Sequence, residues 1–127
     1  MEGKQKFYVC KICGNLIGFV DNKGVPLKCC GENMAELAPN SVEASREKHL
    51  PVVEVFGDVA EVSVGSVPHP MEDGHYIGFV FVETVKGGQR KRLTAGEAPK
   101  VKFRFADDRP LKVYAWCNQH GLWVTEV

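Results

Sequence analysis

Long apolar runs are missing from this 127-residue sequence: each apolar stretch is short and soon broken by glycine or a charge. None reaches the length that a bilayer demands of a helix, so no membrane span is expected. An excess of charge of either sign is missing too. Sixteen Lys and Arg balance sixteen Asp and Glu, which argues against a nucleic-acid partner, since such binders are ordinarily basic overall or on one face. Met1-Glu2-Gly3-Lys4-Gln5-Lys6 leads into no apolar h-region and no small-residue cleavage site, and the expectation is a cytoplasmic protein. Cysteine is scarce and unevenly placed, with four of the five in the first thirty residues and the last near the C-terminus. An odd count without an export signal argues against a disulfide framework and for metal ligation.

What is present divides in two. Residues 1–37 hold Cys10, Cys13, Cys29 and Cys30 among turn signals at Gly14-Asn15, Asp21-Asn22-Lys23-Gly24 and Cys30-Gly31-Glu32-Asn33. The short apolar segments between them, Phe7-Tyr8-Val9 and Leu16 to Val20, read as hairpin strands. So small a piece cannot bury enough apolar surface to fold unaided, and a metal is expected as its staple. Ala38-Pro39-Asn40-Ser41 reads as a linker opening a second domain, 38–127. There Val52–Phe56 and Val59–Val64 alternate around a Gly57-Asp58 turn, a hairpin signal. Tyr76–Val85, closed by Gly87-Gly88, then Val101–Phe105, Leu111–Trp116 and Leu122–Val127 complete the set. About seven short strands with regular turns predict an all-β, immunoglobulin-like sandwich. The one helical candidate is a turn or two near Ser41 to Lys48.

Cys10-x-x-Cys13 followed by Cys29-Cys30 is a metal-binding pattern: a C-x-x-C turn brings two thiolates to one ion, and a second pair completes an all-sulfur tetrahedron that suits iron or zinc. The vicinal second pair should distort that tetrahedron. The only four histidines, His49, His69, His75 and His120, all lie beside loop signals in the second domain, and His120 closes a Cys117-x-x-His120 motif. Four imidazoles and one thiolate suit a five-coordinate transition metal with an open sixth position rather than tetrahedral zinc.

Glu47-Lys48-His49-Leu50-Pro51, His69-Pro70-Met71, His75-Tyr76-Ile77 and Cys117-Asn118-Gln119-His120-Gly121 resemble the active-site motifs of superoxide reductases. The four-cysteine segment resembles the N-terminal desulforedoxin-like domain of desulfoferrodoxins, the two-iron members of that group. The resemblance covers nearly the whole chain with every ligand position in order; Leu50 departs mildly, where a smaller β-branched residue is common. It implies two iron ions, one on Cys10, Cys13, Cys29 and Cys30 and one on His49, His69, His75, His120 and an axial Cys117. It also implies Glu47 as sixth ligand of the ferric form, Lys48 as the cation beside the open site, a rubredoxin-like electron donor and a homodimer.

These groups suit reduction of superoxide to hydrogen peroxide. An axial thiolate pushes electron density through iron, and Lys48 can attract an anion and help deliver protons. Pro51, Pro68 and Pro70 stiffen the ligand loops, and Tyr114, Trp116 and Trp123 are assigned to packing the sandwich. A rival reading is a cupredoxin-like electron carrier, since a sandwich with a Cys-x-x-His near its C-terminus suits blue copper. No Met follows His120, however, and two further histidines would then lack a purpose.

Overall fold

The computed structural model describes residues 5–127. Met1 to Lys4, part of the segment read for an export signal, lies outside the described residues. Those described divide into two compact units, residues 5–38 and Pro39–Val127.

In the first unit β1 (Phe7–Val9) pairs on one side with β2 (Leu16–Gly18) and on the other with β5 (Ala35–Glu36), while β3 (Lys28–Cys29) and β4 (Glu32–Asn33) form a separate hairpin. That hairpin turns through Cys30 and Gly31, with φ of 53° and 80°. Positive φ at both central residues marks the type I′ turn whose twist matches two-residue hairpins. Gly31 adopts it freely; Cys30 is a non-glycine residue in left-handed backbone and carries strain. Phe7 and Cys10 are this unit's only buried apolar residues among those described, so little core holds it together.

The second unit opens with one helical turn, α1 (Arg46–His49), then β6 (Pro51–Phe56), β7 (Val59–Val64), β8 (Ile77–Thr84), β9 (Gly87–Arg92), β10 (Lys100–Arg104), β11 (Pro110–Cys117) and β12 (Gly121–Glu126). All sheet pairings are antiparallel: β10-β7-β6 form one sheet and β12-β11-β8-β9 the other. This is an immunoglobulin-like sandwich in which the fourth strand joins the sheet of the third, sixth and seventh. Ala60, Val62 and Val64 alternate inward along β7 to meet Ile77, Val80, Val82, Phe103, Val113 and Ala115. Each buried Val, Ile or Phe of this set contributes roughly 1.5–3 kcal/mol, a continuous core that the first unit lacks.

Two sequence expectations need correction. Gly87-Gly88 does not close a strand: the β8–β9 hairpin turns at Val85-Lys86, and Gly87 opens β9. That strand, Gly-Gly-Gln-Arg-Lys-Arg, is exposed at a sheet edge, where charge prevents unwanted pairing and no apolar alternation is needed. Gly88 is required because a Cβ there would strike the Phe81 ring. The helical candidate at Ser41–Lys48 is reduced to one later turn, Arg46–His49. It stops because Leu50 precedes Pro51 and is held extended, at φ −68° and ψ 124°.

The registers Pro51↔Val64, Cys117↔Ile77 and Cys117↔Gly121 bring the ends of five strands together at one end of the sandwich. There α1, the 65–76 loop and the β11–β12 turn meet.

Candidate metal centres

His49 is placed by α1, His69 and His75 by the 65–76 loop, and Cys117 and His120 by the β11–β12 turn. The four imidazoles form a closed ring of neighbours. Centroids lie 4.7 Å apart for His49–His69, 4.8 Å for His69–His75, 5.1 Å for His75–His120 and 5.0 Å for His120–His49. Each ring meets the next nearly edge-on, at 75° to 89°. His49, His69, His75 and Cys117 offer ligand atoms within 4.8 Å of one another. His120 joins them through Nδ1, 3.2 Å from His49 Nε2 and 3.9 Å from Cys117 Sγ.

Local bonds set the tautomers. His49 Nδ1 lies 2.6 Å from the Ser45 carbonyl and His69 Nδ1 lies 2.7 Å from that of Pro70, so each Nδ1–H donates and each Nε2 is left as a lone pair. Those two Nε2 atoms face each other at 3.2 Å. Two lone pairs so close repel unless a cation lies between them. His75 Nε2 is buried without any hydrogen-bond partner, a second group in want of an ion. Burial holds His49 below the usual imidazole range and His69 down at about 4, which keeps them neutral, as ligands must be. Burial pushes the Cys117 thiol up, while the amides of Gln119 and His120 pull it down; the His120 N–H lies 3.4 Å from the sulfur.

The second group is Cys10, Cys13, Cys29 and Cys30. Cys13 and Cys29 sulfurs lie 3.6 Å apart, and the Cys13 amide donates to Cys10 Sγ at 3.5 Å. That amide draws Cys10 down to about 6, whereas the neighbouring thiols, Cys13 first, push Cys30 up to about 12. Without a cation the four cannot all ionise; with one, all become thiolates. Donor chemistry fits iron at both groups: four sulfurs at one, four nitrogens and a sulfur at the other.

A sequence profile of the Desulfoferrodoxin family matches residues 41–126. The chain belongs to the desulfoferrodoxin family. A desulfoferrodoxin of Syntrophotalea carbinolica is 41% identical over 99% of both chains. The crystal structure of the superoxide reductase from Treponema pallidum superposes with a TM-score of 0.82 at 38% identity, covering 98% of this chain and all of that one. A superoxide reductase (neelaredoxin) from Archaeoglobus fulgidus in the reduced form matches 65% of this chain and 89% of its own, with a TM-score of 0.53 and 30% identity. Both donor sets suit the two irons of the family.

Glu47 and Lys48 stand apart from the facing donors. Both are exposed on α1, and neither forms an ion pair among the described residues. The Glu47 main chain is engaged: its carbonyl accepts from Val67 N–H at 3.0 Å and from Ser66 Oγ at 3.3 Å, joining α1 to the loop that carries His69.

Two residues escaped the sequence reading. Trp123 does pack, being 1% exposed, but its ring stacks on His49 at 4.9 Å and 27°, and its Nε1–H donates to the His120 carbonyl at 3.0 Å. Gly65 has φ of +87°, and a Cβ there would meet the carbonyls of Val67, Glu47 and Lys48. A glycine directly after the alternating Val59–Val64 run was the available signal.

Proposed function

We propose that this protein is a superoxide reductase, catalysing superoxide + one electron + two protons → hydrogen peroxide. The observation that carries this is the closed ring of four imidazoles beside the Cys117 sulfur, with the His49 and His69 Nε2 atoms 3.2 Å apart. His49, His69, His75, His120 and Cys117 are the residues that would hold the catalytic iron. Ferrous iron held there would supply the electron, and a thiolate donor would raise its electron density. The buried imidazoles stay neutral and leave the positive charge to the ion. Lys48, exposed beside His49, is the cation that draws the anion in and relays protons through water. Glu47, two residues before His49, is assigned as the carboxylate donor of the oxidised resting form.

The residue 5–38 unit is read as a desulforedoxin-like iron domain on Cys10, Cys13, Cys29 and Cys30, and Pro39–Val127 as the superoxide reductase domain. A rubredoxin-like protein is the proposed reductant, and a cytoplasmic homodimer the proposed form. Relatives named superoxide reductases support the activity.

The test is the peroxide yield when the reduced protein meets a measured dose of superoxide with catalase absent. One peroxide per superoxide supports the reductase; half that yield with oxygen released means dismutation and ends this reading. In the same experiment Lys48→Ala is expected to slow the bimolecular step about tenfold and flatten its salt dependence. An unchanged rate at low salt removes Lys48 from this role.

A further inference from the structure

The four imidazoles are not held alike. His49 and His69 each anchor Nδ1 on a main-chain carbonyl, and His120 follows Cys117 through a short turn closed by its own N–H on the sulfur. His75 has no such fixture. Its Nε2 is unpartnered, and its ring makes no hydrogen bond to any described residue. It stands on a tight turn in which Glu72 N–H donates to the His75 carbonyl at 2.9 Å and His75 N–H returns to that of Glu72 at 3.1 Å. Such a turn fixes its own shape and not its place relative to the metal.

Asn118 supplies the missing reference. Its side-chain oxygen accepts from Tyr76 N–H at 2.9 Å, and its main-chain N–H donates to the Tyr76 carbonyl at 3.2 Å. Its side-chain Nδ2 donates to the Gly74 carbonyl at 3.1 Å. Three bonds from one residue thus grip the main chain on both sides of His75. That residue also follows Cys117 directly, where the β11–β8 register shifts and the regular ladder ends. Gln119 adds a fourth bond, Nε2 to the Gly74 carbonyl at 2.7 Å, from an exposed side chain.

We propose that Asn118 is the positioning residue for His75, fixing that imidazole against the Cys117 sulfur as the Ser45 and Pro70 carbonyls fix His49 and His69. It touches neither substrate nor metal; it sets the angle between one nitrogen donor and the sulfur. Outer partners of metal ligands characteristically govern affinity and electronic structure. This rests on His75 and Cys117 being iron ligands, as proposed above.

The test uses the full-length, iron-loaded protein. Asn118→Ala is expected to shift the thiolate-to-iron absorption band, change the ferric EPR rhombicity and lose iron to a chelator about tenfold faster. Gln119→Ala, which leaves both Tyr76 bonds in place, is expected to keep the parent spectra. Asn118→Ala with unchanged band, EPR and chelation rate overturns the proposal, as does an equal change in both variants, which would put the grip on Gly74 alone. If Asn118→Ala does not accumulate folded, Asn118→Asp keeps the acceptor for Tyr76 and loses only the donor to Gly74. A thiolate band or ferric EPR that differs from the parent, with Gln119→Ala still parent-like, then supports the proposal, and parent-like spectra overturn it. A parent protein with no thiolate band at all would instead overturn the ligand assignment on which this rests.

Discussion

Gly65 shows how a residue with no side chain can control a metal site. Its open φ lets the 65–69 loop pass close under α1, so that Gly65 N–H reaches the Leu50 carbonyl at 3.2 Å and Val67 N–H that of Glu47 at 3.0 Å. A methyl group at Gly65 would meet three carbonyls while left-handed backbone itself costs roughly 1–2 kcal/mol. Gly65→Ala is therefore expected to lower the thermal midpoint by at least several degrees. It should also reduce iron bound at the histidine centre while leaving the four-cysteine iron in place, as metal analysis and visible spectra would record. The buried imidazoles make a pH prediction for the metal-free protein. His69 titrates near 4 when folded and near 6.5 when not, because burial disfavours its charged form; His49 shifts in the same direction. Between those values the unfolded chain takes up protons that the folded one refuses, so the His69 contribution to stability is flat above 6.5 and is lost as pH drops toward 4. Urea titrations of metal-free protein at pH 7.5, 6 and 5 should show a falling midpoint; a midpoint that rises on acidification would contradict the burial argument.

At the scale of elements, legibility followed the source of each element's order. β7 and β10 alternate inward and outward, and the Gly57-Asp58 turn joins β6 to β7 as the pattern implied. β9 was hidden because its place comes from the β8 ladder and from Gln89 Nε2 reaching the Arg104 carbonyl at 2.8 Å, neither of which leaves an apolar pattern. Its Arg90, Lys91 and Arg92 are exposed on an edge. Replacing Arg90 and Arg92 by Val should change unfolding free energy by only about 0.5 kcal/mol, yet promote edge-to-edge association. Light scattering against concentration checks this, and an unchanged scattering profile would show the charges to be idle. The ligands themselves were legible for a different reason: His and Cys are rare here, and each stands next to a turn. Trp123 and Asn118 were not, since a tryptophan in a strand and an asparagine in a turn have ordinary uses, and only the tertiary structure puts them against His49 and His75.

Across the whole molecule the two units depend on metal to different degrees. The residue 5–38 unit has strands of two or three residues and two buried apolar side chains among those described, whereas the sandwich has a continuous core. Removing both irons with a chelator under reducing conditions is expected to abolish amide protection in residues 7–36. Protection in β7, β8 and β11 should persist; loss in both units together would show that the sandwich too needs its ion to fold. The donor sets also differ in how far apart their members lie along the chain. The sulfur set is complete at Cys30, while the other runs from His49 to His120 and waits for the last β-hairpin. Ribosomes deliver the chain from its N-terminus at about 5–20 residues per second, which places on the order of 5–20 s between the two events. The first centre can therefore capture its ion on a nascent chain, whereas the second can do so only after release of the sandwich's final turn, from whatever iron the cell then has to spare.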